Sequence, residues 1–226
     1  MELCVKYKVP IIITSLGARE DVNQAAHSYG GLVFHDVINQ RFAHKAIEKG
    51  ADGLILVASG AGGHAGALSP FALVQETREW FDGPIALSGS IATGDSVLAA
   101  QAMGADFAYI GSSFIATREA NAVDEYKNMV VDAAADDIVY SDYFTGVSGN
   151  YLKPSIAAAG MDPNNLPKGD IKAMEKLTDT DSDAKAWRDI WGCGQGIGAV
   201  DEIQSAADRI AQLEHEYAAA RARLQL

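Results

Sequence analysis

Up to about residue 115 the chain alternates short, uniformly apolar runs with stretches in which apolar residues recur every three to four positions. The runs fall at 10–14, 32–34, 54–57, 84–87 and 107–110. Runs without alternation suit strands buried on both faces, and the helical stretches between them predict a β-α-β-α order with parallel strands. Two pieces, 43–52 and 99–106, are near-copies ending in Gly-Ala-Asp. Each predicts a helix closed by glycine, at Gly50 or Gly104, with a strand following at once, because glycine takes the left-handed conformation of a helix C-terminus without steric cost.

Beyond residue 115 the rhythm stops. Residues 119–135 predict an amphipathic helix, 140–185 are rich in turn formers, with much of the Pro and Gly in 150–168, and 199–224 predict an alanine-rich closing helix. The expected organisation is a partial (β/α) barrel over 1–118, a helical and irregular excursion or lid over 119–198, and a helix over 199–226 closing the same domain. The fold class is α/β of the (β/α)8 TIM-barrel type, incomplete, with about the last five βα units. An open doubly wound sheet would show the same period. Residues 2–10 leading into Ile11 mirror 77–84 leading into Ile85, so the chain reads as opening inside a helix, with earlier units expected before it.

A formal charge of −12 over 226 residues opposes binding to nucleic acid or an anionic membrane, which reward clustered Lys and Arg. With 48% hydrophobic residues the chain can bury a core. It carries no apolar run of the roughly 18 residues a membrane span needs, so a cytoplasmic location is the default expectation. Cys4 and Cys193 form no disulfide framework or zinc pattern and are expected to be inert; no metal site is expected.

In parallel architectures ligands sit beyond the C-terminal ends of strands. There the chain places Gly60–Gly66, with His64 among four glycines in seven residues, then 88–94, and then Gly111-Ser112-Ser113. A neutral imidazole is suited to proton transfer near pH 7, and glycine admits close backbone approach. Small residues with free amides after two successive strands make a phosphate cradle, predicting a phosphate-bearing cofactor or substrate. His27, His44 and His215 read as surface residues; His35, beside Asp36, could reach the same face as His64. Gly-x-Gly-x-x-Gly, P-loop and Gly-x-Ser-x-Gly motifs are absent from the sequence. Asp136-Asp137 and 179–183 read as solvated surface. Tyr140, Tyr143, Phe144 and Tyr151 read as lid packing or as pocket lining.

Together 49–53, 61–66, 87–92, 103–106, 109–112 and 191–198 resemble the nitronate monooxygenase family, formerly called 2-nitropropane dioxygenases, which are FMN-dependent (β/α) barrels. The resemblance implies that His64 deprotonates a nitroalkane or positions its nitronate. It implies that Gly62 and Gly63 lie close to FMN, and that Ser88, Gly89 and Ser90 with Tyr109, Ile110, Gly111 and Ser112 hold its phosphate through backbone amides. The implied reaction converts an alkyl nitronate or nitroalkane with O2 to a carbonyl compound and nitrite. The sequence departs from the family pattern at 57–60, where many members carry Gln-Gly-x-Glu, and at Ser90, where a second glycine is usual. Members also begin with about three further βα units, so a shortened chain is expected to bind FMN weakly and, with its strand edges open, to pair as a homodimer. The rival readings are an NAD(P)H-dependent flavin reductase of the same superfamily and a truncated, non-catalytic module.

Overall fold

A computed structural model describes residues 1–169 and 187–225. In chain order they form α1 (Glu2–Tyr7), β1 (Ile11–Thr14), α2 (Glu20–His27), β2 (Leu32–Val37), α3 (Gln40–Glu48), β3 (Gly53–Val57), β4 (Gly63–His64), α4 (Pro70–Arg78), β5 (Ile85–Ser88), α5 (Gly94–Ala102) and β6 (Phe107–Ala108). There follow α6 (Ser112–Ile115), α7 (Asp124–Asp132), β7 (Ile138–Ser141), β8 (Gly149–Leu152), α8 (Lys153–Ala158) and α9 (Ala206–Leu224). Contacts divide the chain into two compact units. Among the described residues no helix is long and apolar enough to cross a membrane, and no group of three His, Cys, Asp or Glu could hold a metal ion.

The first unit comprises Met1–Ser59, Ala67–Ser88 and Ala99–Tyr109. Its sheet is parallel throughout, in the order β1-β2-β3-β5-β6. Register puts Val33, His35, Val37, Leu54, Leu56, Ile85 and Leu87 on one face, all buried. The opposite face is closed at its centre by Ile55, Val57 and Ala86 but open at its margins, where Ile11, Ile13 and Leu32 are 53%, 49% and 45% exposed and Phe107 is 57% exposed. Burying a side chain such as Leu54 fully contributes about 1.5–3 kcal/mol, and the helices add Ala26, Ala43, Ala46, Leu73 and Val74 to the buried set. Asn39 starts α3 by accepting the Phe42 amide at 3.0 Å, and Pro70 opens α4, where a missing N–H is harmless.

The duplicated Gly-Ala-Asp segments do the same work twice. Gly50 and Gly104 have φ of 90° and 107°, and the residue after each donates back into its helix, Ala51 to Ala46 and Ala105 to Ala100. Asp52 then clasps the neighbouring strand: its amide donates to Val33 O at 2.8 Å and its carboxylate accepts the Val33 amide at 2.7 Å. Asp106 treats Ile85 alike, at 2.9 and 2.8 Å. Each carboxylate is also met by a cation-forming side chain, His27 at 2.8 Å and Arg78 at 2.7 Å.

The second unit comprises Gly60–Gly66, Gly89–Leu98 and Ile110–Leu226. A three-stranded antiparallel sheet, β4-β8-β7, joins the His64 loop to two strands from the excursion expected to be helical and irregular. These strands are two to four residues long, and Gly149 and Asn150 interrupt the apolar pattern, so no local period announces them. Ala116, Val130, Ala133, Ile138, Leu152, Cys193, Ile197 and Val200 form one core cluster; Phe144, Tyr151, Ile156 and Ile190 form another. The helix expected over 119–135 is the shorter α7. It stops at Ala133, whose ψ of 156° is extended, and the Asp137 carboxylate accepts the Ala134 amide at 2.8 Å to begin a separate 3-10 turn. The closing helix begins at 206 rather than near 199, where Ser205 Oγ accepts the Asp208 amide at 3.0 Å.

Candidate active site

His64 lies on the edge strand β4, held by backbone pairing with β8. It pairs with Gly149 and Gly63 pairs with Asn150, and a side chain at 149 would come within 2.8 Å of Gly63 O, so only glycine permits this approach. The loop is pinned further by the Asn150 amide donating to Ala61 O at 2.7 Å, the Ala65 N–H donating to Ser148 O at 3.1 Å, and the Tyr140 hydroxyl donating to Ala65 O at 2.9 Å. The imidazole Nε2 lies 2.8 Å from Thr145 Oγ1, and the ring stands edge-on to Trp187, centroids 5.3 Å apart. Burial lowers the pKa of His64 below its ordinary 6.5, so the ring is neutral at pH 7.

Around this loop the small-residue segments of the second unit come together. Gly60 O accepts the amides of Ser90, at 3.3 Å, and Gln195, at 2.9 Å. Ser112 Oγ accepts the Gly194 amide at 2.9 Å. A Cβ on Gly62 would sit 2.8 Å from both Gly194 N and Ser112 Oγ, and one on Gly196 would sit 3.0 Å from the Ser90 carbonyl. Ser90 has φ 55°, in the left-handed region that favours glycine. Gly62, Ser90 and Gly111 are exposed, and Gly111 has open space where a Cβ would stand.

The amides of Ile91, Gly111 and Ser112 are among those in these loops that donate to no acceptor among the described residues, and Ser113 Oγ is buried without a partner. By contrast, the approach to α5 is already paired: Ala92 and Thr93 donate to Ser96 Oγ, and Gly94 to the Glu216 carboxylate at 2.8 Å. Of the remaining residues expected in the cradle, Ser88 ends β5 and Tyr109 follows β6, both in the first unit, each one residue before the chain enters the second.

Other candidates resolve plainly. His27, His44 and His215 are exposed, and His44 stacks on Trp80 at 3.8 Å. His35 is buried in the first unit with Nδ1 2.6 Å from Thr14 Oγ1. Burial pushes the Cys193 thiol up to about 11, against the opposing pull of Ser112 and the Gly194 amide, so it stays protonated. Phe144 and Tyr151 are core, while Tyr140 braces the His64 loop. The acidic run 179–183 lies outside the described residues. Sequence reasoning passed over Thr145, Asn150 and Trp187 and assigned no role to 192–196. A lone Thr or Asn in a turn-rich stretch carries no periodic signal, though the glycine density of 192–196 does mark close backbone approach.

The parallel βα-repeat of the first unit defines an α/β protein of the (β/α)8 barrel type. The chain belongs to the nitronate monooxygenase family, whose profile matches residues 1–216. It is 25% identical over 231 residues to a Mycobacterium tuberculosis protein named as a monooxygenase, covering 96% of this chain and 61% of that one. It resembles the structure of FabK from Thermotoga maritima with a TM-score of 0.82 and 25% identity, over 99% of this chain and 73% of that one. It resembles nitroalkane oxidase from Streptomyces ansochromogenes with a TM-score of 0.79 and 24% identity, over 99% and 68%. The chain spans 61% to 64% of the length of curated relatives that it matches along nearly all of its own.

Proposed function

We propose that this chain carries the active-site face of an FMN-dependent enzyme that oxidises alkyl nitronates or nitroalkanes with O2 to a carbonyl compound and nitrite. The observation that carries the reading is a neutral, partly buried His64 fixed on a two-strand ladder beside loops with unsatisfied amides. FMN, when bound, would supply electron transfer between substrate and O2. The residues fit its phosphate: the amides of Ile91, Gly111 and Ser112 lack acceptors, and Gly111 leaves open space beside them. Gly89, Ser90 and Ile110 complete the proposed cradle, and Gly62 and Gly63 are proposed to lie against the cofactor.

His64 is proposed as the base. Its burial keeps the ring unprotonated at neutral pH, ready to remove the acidic proton α to a nitro group. A preformed nitronate needs no such step. His64→Ala is therefore expected to lower turnover of a neutral nitroalkane by about 100-fold or more while leaving a preformed nitronate much less affected. Equal losses on both substrates would remove His64 from the base role. Anaerobic stopped-flow comparison of NADH with a nitronate tests the reaction class, and faster reduction by NADH would replace the oxidase reading with a reductase.

A further inference from the structure

The His64 ring is gripped at one nitrogen only. Nε2 faces Thr145 Oγ1 at 2.8 Å, and Nδ1 has no hydrogen-bond partner among the described residues. A threonine hydroxyl has one proton to give and two lone pairs to offer. Thr145 Oγ1 lies 3.0 Å from the Val147 carbonyl oxygen, which can only accept, and 3.4 Å from the Val147 N–H, which can only donate. The hydroxyl proton is thus drawn to the carbonyl, and the contact with Nε2 is satisfied when the imidazole donates. Thr145 is only 7% exposed, so water offers the hydroxyl little alternative, and the buried Tyr151 hydroxyl closes the same pocket at 3.5 Å.

We propose that Thr145 is a positioning residue that holds neutral His64 as the Nε2-protonated tautomer and leaves the Nδ1 lone pair to take the proton from substrate. This rests on the reading of His64 as the base. In that step the α C–H bond breaks and its electron pair enters the C=N bond of the nitronate. The negative charge moves to the nitro oxygens, and an N–H bond forms at Nδ1. The arrangement suits both ring states. An acceptor at Nε2 remains satisfied when the imidazole becomes a cation, whereas a donor there would lose its partner. Gly149 and Gly63 hold the backbone of this strand, so Thr145 has only the ring to orient.

The test is nitrogen-resolved NMR of the full chain labelled at histidine, at a pH about one to two units above the ordinary histidine value, with the His64 signals identified as those lost in His64→Gln. The expected result is a protonated, pyrrole-type Nε2 and an unprotonated, pyridine-type Nδ1. Thr145→Val is expected to mix the two tautomers and Thr145→Ser to retain the original one. Thr145→Val should also lower turnover of a neutral nitroalkane by about 10- to 100-fold, with a preformed nitronate changed far less and Thr145→Ser close to the parent. A pyridine-type Nε2 in the parent, or a parental tautomer in Thr145→Val, would overturn the proposal. The shifts decide the tautomer even in a chain that turns over neither substrate, an outcome that would count against the oxidase reading alone.

Discussion

The three glycines that precede His64 are required for different reasons, and substitution separates them. Gly62 lies outside the left-handed region, but a Cβ there would meet Gly194 N and Ser112 Oγ at 2.8 Å and Cys193 C at 3.1 Å. Two of those three atoms are backbone, so the cost is overpacking, about 1–3 kcal/mol. Gly63 has φ 72° and open surroundings, its Cβ reaching the Trp187 ring only at 3.7 Å. Its cost is conformational, about 1–2 kcal/mol for alanine and less for asparagine, which tolerates αL. Gly60 combines φ 83° with a position where a Cβ would collide with Ser90 Oγ. Urea unfolding should therefore rank Gly63→Asn above Gly63→Ala in stability but Gly62→Asn at or below Gly62→Ala. With a urea slope of about 2 kcal/mol/M, a 2 kcal/mol loss moves the midpoint by about 1 M. Ser90→Gly should recover part of the loss in Gly60→Ala, since it removes the clashing hydroxyl. Asparagine more stable than alanine at 62, or less stable at 63, would refute these separate roles.

Acid should weaken the fold through its buried imidazoles. His35 and His64 both have folded pKa values lowered by burial from 6.5, with Lys49 adding to the effect at His35. The unfolded chain takes up protons first as pH falls below 6.5, so stability is full above that value and declines as pH drops toward the folded values. Urea midpoints of a His35→Asn, His64→Gln double variant should show a shallower decline, and an unchanged slope would refute the assignment. At Asp106 burial works against ionisation, but the Ile85 amide and then Arg78 outweigh it and hold the carboxyl below its ordinary 3.8. Its contribution is present above pH 3.8 and fades as pH falls further. Asp106→Ala should cost about 1–3 kcal/mol by orphaning the Ile85 amide, and Asp106→Asn less, as thermal unfolding would measure. The half-exposed Ile11, Ile13 and Leu32 are proposed to drive pairing of two copies, and sedimentation velocity should show Ile13→Lys shifting the distribution toward monomer.

The parallel repeat was legible because its signals are local. The apolar runs at 32–34, 54–57 and 84–87, the helix-closing Gly50 and Gly104, and the paired Asp52 and Asp106 all act within a few residues or on the adjacent strand. His64 and the small-residue loops were legible for the same reason: glycine clusters after apolar runs mark backbone that must approach something. The family resemblance carried over nearly the whole chain, in accord with the profile match to 1–216.

What the sequence by itself determined is the βα rhythm, the two matching helix-to-strand junctions at Gly50 and Gly104, and the identity of the candidate base. Only the tertiary structure decided what faces that base. Thr145, 81 positions away, supplies the oxygen at Nε2, Gly149 and Asn150 supply the strand beneath it, and 192–196 supplies backbone against Gly60 and Gly62. A strand of two residues has no period to read, and its pairing depends on closing a long loop and on the absence of a Cβ at 149. The unequal exposure of the sheet has a similar origin. Apolar runs in β1 and β3 look alike, but neighbours on both sides bury Ile55, whereas Ile13 on the edge strand stays half exposed.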